Sequence, residues 1–180
     1  MNEQSATLDV GVGSEAYGST VPARGNVRID IGYRARARYR RMTLDVGCGD
    51  NQKGDVNIDI QKPLGYVENF VLADAEHLPF KTKCFNTVRS SHVIEHLPNP
   101  FALLAEMSRI ANERIEIRCP HRLSFIVKGH GHRWIFRNGY FNKAAIKLGW
   151  VPRTHATLDG DRDLWNVSME IRSVWLRRRD

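Results

Sequence analysis

The chain of 180 residues carries a formal charge of +7, with 42% hydrophobic and 26% charged residues. That size and balance describe one globular domain with a real core, and argue against a disordered or fibrous chain. No apolar run approaches the roughly 18 residues of a membrane helix, and three dispersed cysteines, Cys48, Cys84 and Cys119, fit neither a disulfide framework nor a cysteine-rich zinc site. A cytoplasmic protein with reduced thiols is expected, without a membrane span. The positive charge mildly favours an anionic partner.

Residues 1–42 are punctuated by Gly11, Gly13, Gly18, Pro22 and Gly25, which argues for loops. They contain "TLDVGVGS" at 7–14 and "GNVRIDI" at 25–31, echoed more compactly by "TLDVGCGD" at 43–50 and "GDVNIDI" at 54–60. The run "RARARYRR" follows the first copy. As a strand it would line Arg34, Arg36, Arg38 and Arg40 along one face, a strip able to track phosphates. A solvated charged connector is the plainer reading, and the tail "WLRRRD" adds Arg177, Arg178 and Arg179.

From Thr43 the texture changes. "TLDV", "VNIDI" and "NFVLAD" read as short strands, and "FNTVRSSHVI" as a fourth. "NPFALLAEMSRIAN" spaces Phe101, Leu104, Ala105, Met107 and Ile110 along one side of a helix, with Asn99 and Pro100 suited to its start. "RIEIRCP" alternates as a strand and stops at Pro120. "NGYFNKAAIKLGW" predicts a helix closed by Gly149, and "VPRTHAT" and "NVSMEIRSVWL" a final strand pair. Strands alternating with helices predict an α/β sheet with ligands at the carboxyl ends of its strands, and the last pair an antiparallel edge.

Three successive strand ends then offer chemistry. Gly47 and Gly49 form a turn that lets a ligand approach the main chain. The position three beyond Gly49 is Gln52, so a nicotinamide fingerprint fails, and no GK[ST] follows for a phosphate loop. Asp59 ends the second strand, where a carboxylate can accept both hydroxyls of a ribose. Asp74 ends the third, placed for an adenine amino group, with the Ala75 N–H beside it. None of this needs a phosphate, which suits a nucleoside with a non-phosphate tail.

From Thr43 to about Trp150, and on toward the C-terminus, the ordered set "LDVGCG", "NIDI", "LADAEHLPF" and "FNTVRSSHVIEHLPNP" resembles the class I S-adenosylmethionine-dependent methyltransferases, most closely the methyltransferase type 11 family. The resemblance implies a Rossmann-like, doubly wound, mostly parallel sheet over residues 43–180; the echo itself makes residues 1–42 read as an appended segment carrying a partial duplicate of the cofactor motif. It also implies S-adenosyl-L-methionine as cofactor. The methionine portion falls on Gly47, Cys48 and Gly49 with Asp45 at the strand end; the ribose falls on Asp59; the adenine falls on Ile60, Asp74 and Ala75. Ser91 and His92 lie near the methyl donor.

The sequence departs from the family in two places. Asp50 stands where a small residue is frequent, which could alter the turn or add a contact. Only "DNQKGD" separates Gly49 from Val56, whereas a parallel crossover normally takes a dozen or more residues. The first helix must be shortened or absent, leaving one flank of the sheet without its usual cover.

A sulfonium methyl is already activated, so positioning and exclusion of water carry most of the transfer. A base is needed only where the acceptor must lose a proton, and His92 is the candidate, ahead of His96. Glu95 and His96 are otherwise read as closing the turn before the helix. A second cluster, Cys119, His121, His130 and His132, matches no standard zinc spacing and no metal is expected there. The resemblance places this loop, with Phe125, Trp134 and Phe136, at the border of the acceptor pocket; the aromatics individually read as core.

"SSHVIEHLPNP" replaces the [DNS]PP[YFW] signature of base-amino methyltransferases, so that chemistry is disfavoured. The expected activity is methyl transfer to a small molecule, a lipid-like molecule or a sugar. RNA or protein acceptors, and a catalytically inactive S-adenosylmethionine-binding protein, are the alternatives.

Overall fold

The computed structural model describes residues 42–51, 53–124, 131–159 and 168–178. In chain order the described elements are β1 (Thr43–Val46), β2 (Val56–Asp59), β3 (Phe70–Leu72), β4 (Phe85–Ser91), α1 (Pro100–Ile110), β5 (Ala111–Pro120), α2 (Asn138–Lys147), β6 (Trp150–Asp159) and β7 (Ser168–Arg177). They form one sheet in the order β3-β2-β1-β4-β5-β7-β6. β3, β2, β1, β4 and β5 pair in parallel, and β7 runs antiparallel between β5 and β6. The expected mostly parallel sheet with an antiparallel edge is present.

The chain winds outward from β1 to β3, then resumes with β4 on the other side of β1. Strand order therefore reverses between β1 and β4, and the crevice at such a switch point is where open α/β sheets bind ligands. Gly47 and His92, which leave these two strands, stand at its mouth.

Alternation sorts the strand residues onto two unlike faces. Leu44, Val46, Val56, Ile58, Val88, Ile115, Ile117, Ile171 and Trp175 are buried in one apolar cluster with both helices. α1 contributes Leu103, Leu104, Met107 and Ile110 to it, and α2 contributes Phe141, Ala144 and Ala145. The opposite face carries Asp45, Asn57, Arg89, Glu116, Arg118, Glu170 and Arg172, in register across the strands. Among the described residues no helix covers it.

α1 begins as its sequence directs. Asn99 Oδ1 accepts from the Ala102 N–H at 3.3 Å, and Pro100 occupies the first helical position, where its missing N–H costs nothing. Its buried stripe is centred on Leu103 and Leu104. Phe101 and Ala105 lie at its margin, half-buried, and Lys147 sits 4.7 Å over the Phe101 ring. Gly149, at φ 81°, ends α2. Trp150, the residue after Gly149, starts β6 and is buried.

Two loops take the place of helices. Residues 73–84 bury Ala75, Leu78 and Phe80 on the apolar face. Arg109 holds this loop by donating to the carbonyls of Phe80 at 2.6 Å and Leu78 at 2.9 Å, while Glu106 accepts from the Leu78 N–H at 2.8 Å. Between β1 and β2 the described residues form only turns, as the short spacing required. Buried Asn57 fastens them: its Oδ1 accepts from the Gly54 N–H at 3.1 Å, and its Nδ2 donates to the carbonyls of Gly54 and Glu68 at 3.1 and 3.0 Å.

Candidate functional site

The turn after β1 needs a glycine's freedom at Gly47. Its φ is 73°, and a Cβ there would lie 2.1 Å from Val93 Cγ2. Only a residue without a side chain lets the segment after β4 pack against the segment after β1. The Gly47 and Cys48 N–H groups both donate to the Ile58 carbonyl, at 2.8 and 3.0 Å. The Gly49 N–H donates to Asp59 Oδ2 at 3.0 Å, and Asp59 Oδ1 accepts from the Gln61 N–H at 3.0 Å. The glycine turn and the acid of β2 are thus one hydrogen-bonded unit. Beside Gly49 an added Cβ would meet nothing within 4 Å, so the outer side of the turn is open.

Asp45 lies on the polar face, buried. Its Oδ2 accepts from the Lys53 N–H at 3.1 Å and its Oδ1 lies 3.7 Å from Arg89 Nε. Burial raises its pKa, and Arg89 and the Lys53 contact oppose this. The Cys48 thiol is buried and pushed up to about 11 by burial and then by Asp59 and Asp45, so it stays protonated. Asp50 Oδ1 accepts from the Leu64 N–H at 2.6 Å, which ties the β1–β2 turn to the loop after β2.

The next strand ends follow in line. Ile60 is 60% exposed, an apolar surface next to Asp59. The Ala73 N–H donates to the Asp59 carbonyl at 3.0 Å, which places Asp74 and buried Ala75 on the same side as Asp59. Asp74 Oδ1 accepts from the Glu76 N–H at 2.9 Å, and its Oδ2 lies 3.3 Å from His77 Nδ1.

Ser91 is the last residue of β4, and His92 leaves the strand with φ 58°, an uncommon left-handed conformation for a histidine. The His92 N–H donates to the Arg118 carbonyl at 2.9 Å. His92 Nε2 lies 2.8 Å from Glu170 Oε1, and Nδ1 lies 3.4 Å from Glu95 Oε1. Glu95, opposed by burial and reinforced by Glu170, holds the imidazole above its usual pKa. Glu170 is itself buried and receives Arg118 Nη2 at 2.6 Å.

The structure therefore gathers Gly47, Cys48, Gly49, Asp59, Ile60, Asp74, Ala75, Ser91 and His92 at the carboxyl ends of β1 to β4, with Asp45 one position inside β1. Among its described members the second cluster does not form one group. Cys119 is buried, and burial raises its thiol strongly. His121 is bridged to Phe136, His132 lies beside His96, and Phe136 is core. Trp134 is exposed and donates from Nε1 to the Leu97 carbonyl at 2.8 Å. His130 and Phe125 lie outside the described residues, as do residues 1–41 with both echoes of the first copy and the run Arg34 to Arg41.

Residues 55–114 match the family model of the methyltransferase domain. That stretch is similar to a methyltransferase domain, and the sheet around it has the fold of S-adenosylmethionine-dependent methyltransferases. The chain's fold is similar to a possible histamine N-methyltransferase of Thermotoga maritima, described as S-adenosylmethionine-dependent, at 13% identity over 76% of this chain and 82% of that one, with a TM-score of 0.62. It is also similar to the protein held by the Trm112 methyltransferase activator in a Haloferax volcanii complex (13%, 81% and 89%, TM-score 0.61). A third neighbour is magnesium protoporphyrin IX methyltransferase of Synechocystis PCC 6803 (16%, 77% and 70%, TM-score 0.54). At these identities the likeness concerns the fold. No curated protein matches the sequence. No helix among the described residues is long and apolar enough to cross a membrane.

Three residues around the candidate site escaped the sequence reading: Asn57, Glu95 as a partner of His92, and Glu170. Asn57 and Glu170 occupy the polar phase of otherwise alternating strands, where nothing in the spacing separates a buried fastener from a solvated side chain.

Proposed function

We propose that the chain transfers the methyl group of S-adenosylmethionine to a small molecule, a lipid-like molecule or a sugar. The observation that carries this reading is the bonding of the Gly49 N–H to Asp59, with Asp74 tied to the next strand end. The residues fit the cofactor: an open glycine turn for its amino-acid end, a carboxylate with lone pairs left for ribose hydroxyls, exposed Ile60 for the adenine face, and Asp74 with Ala75 for its edge. When bound, S-adenosylmethionine supplies an activated sulfonium methyl.

His92 is the side chain proposed to meet the acceptor. Its strained backbone is held by the Arg118 carbonyl and by Glu170, and such strain persists where surrounding structure over-determines it. The basic side chains in view do not favour a nucleic-acid acceptor. Arg89, Arg114 and Arg118 are paired with Asp45, Glu116 and Glu170. Arg177 donates to the Asn112 and Ala111 carbonyls and lies over the Trp150 ring.

Labelled methyl offered as S-adenosylmethionine to separated metabolite, lipid, RNA and protein pools tests the reading. Label in the first two, lost in His92→Ala with cofactor binding kept, supports it. Label confined to RNA or protein, or binding without transfer to any pool, refutes it.

A further inference from the structure

Glu95, His96 and His132 bring one carboxylate and two imidazoles together, with donor atoms all within 4.8 Å of one another. We propose that they bind one divalent first-row transition-metal ion. Glu95 is 1% exposed, yet neither carboxylate oxygen accepts a geometrically aligned hydrogen bond from a described residue. The 3.4 Å approach of His92 Nδ1 to Oε1 is a charge contact rather than an aligned bond. A buried carboxylate in that condition is costly unless a cation completes its surroundings.

The frame around the three donors is built. The Glu95 carbonyl accepts from the N–H groups of Arg133 and Trp134 at 2.8 and 3.2 Å, and Trp134 Nε1 donates to the Leu97 carbonyl. The His96 N–H donates to the Val93 carbonyl at 2.9 Å, closing the turn that presents Glu95 and His96 together. Segments far apart in sequence are stitched so that His132 meets the turn. The His96 and His132 rings stand edge to face, 4.8 Å between centroids, rather than stacked. Metal–nitrogen and metal–oxygen bonds of about 2.0–2.2 Å put tetrahedral donors about 3.3 Å apart, a closure that side-chain rotation can supply. His96 is exposed, which gives an ion access.

Mixed imidazole and carboxylate donors suit zinc, cobalt, iron or manganese rather than calcium. Three protein donors leave a coordination position open, the pattern of a metal that meets a substrate. On the reading proposed above, that position would take an oxygen or nitrogen of the acceptor. The binding itself does not depend on that reading.

The test uses the full chain, stripped by chelator, with no methyl donor present. Cobalt(II) is followed by its visible absorption and zinc(II) by calorimetry. We expect one equivalent bound, with His96→Ala and His132→Ala each weakening affinity about tenfold or more while His121→Ala binds as the parent. Glu95→Gln should weaken binding too; if it melts without cooperativity, the two histidine variants decide. No saturable single-site binding, or unchanged affinity in either histidine variant, would overturn the site. A failed methyl-transfer assay would leave these results standing, so the two proposals fail separately.

Discussion

Two parallel crossovers in this sheet are built from opposite materials. Between β4 and β5 the chain forms α1, which buries Leu103, Leu104, Met107 and Ile110 against the sheet. Between β1 and β2 its described residues form only turns, held by Asn57, Asp45, Asp55 and Asp59. A crossover helix exists to cover apolar strand residues, and the face β1 and β2 would offer such a helix carries Thr43, Asp45, Asn57 and Asp59. With nothing apolar to cover, hydrogen bonds to the turn suffice. The short crossover also keeps Asp59 bonded to the glycine turn, so the same contacts that replace a helix shape the site.

If the helical crossover depends on packing, Leu103→Ala should produce the largest loss, about 2–5 kcal/mol in urea unfolding. Gly47→Ala should follow, at about 1–3 kcal/mol, because its Cβ meets Val93 and its φ resists a side chain. It should also abolish cofactor binding, which a core variant need not do. Asn57→Ala should cost roughly 1–3 kcal/mol through the Gly54 and Glu68 groups left unpaired, and weaken cofactor affinity by loosening the turn. A destabilised Asn57→Ala protein with parental affinity would separate the crossover from the site.

The smallest effect concerns the loop over α1. Burial pushes Glu106 up, but Arg109 and the Leu78 N–H outweigh it and hold the carboxyl below 4.5. Its folded pKa is lowered, so its contribution is complete above about pH 4.5 and fades as pH falls through the folded value. Comparing acid unfolding of the parent with Glu106→Gln should show a difference of no more than about 1 kcal/mol near neutrality that vanishes in acid. An equal gap at all pH values would contradict the assignment.

Much of the fold was legible because both periodicities are strong. "TLDV" and "RIEIRC" alternate cleanly, and "PFALLAEMSRI" repeats at helical spacing. The missing first helix was legible too, since six residues cannot make a helical crossover. The boundary of β4 was less so: "SSHVI" continues the strand pattern, but the left-handed backbone at His92 breaks it, and a histidine gives no such warning. The candidate site was legible where it sits in one strand end after another, as with Gly47, Asp59 and Asp74. It was not legible where residues meet across the sheet. Glu170 reaches His92 from β7, and His132 reaches Glu95 from beyond β5, contacts that only the strand order creates.

The central claim is that the second copy of the duplicated phrase, and not the first, holds the cofactor. Calorimetry of S-adenosylmethionine binding to the full chain, to Asp59→Ala and to Asp30→Ala, the acid of "GNVRIDI" that echoes Asp59, tests it most directly. Asp59→Ala should lose about 1–3 kcal/mol of affinity, and Asp30→Ala should bind as the parent, as should a chain lacking residues 1–42. Parental affinity in Asp59→Ala, or lost binding in Asp30→Ala, would contradict the account.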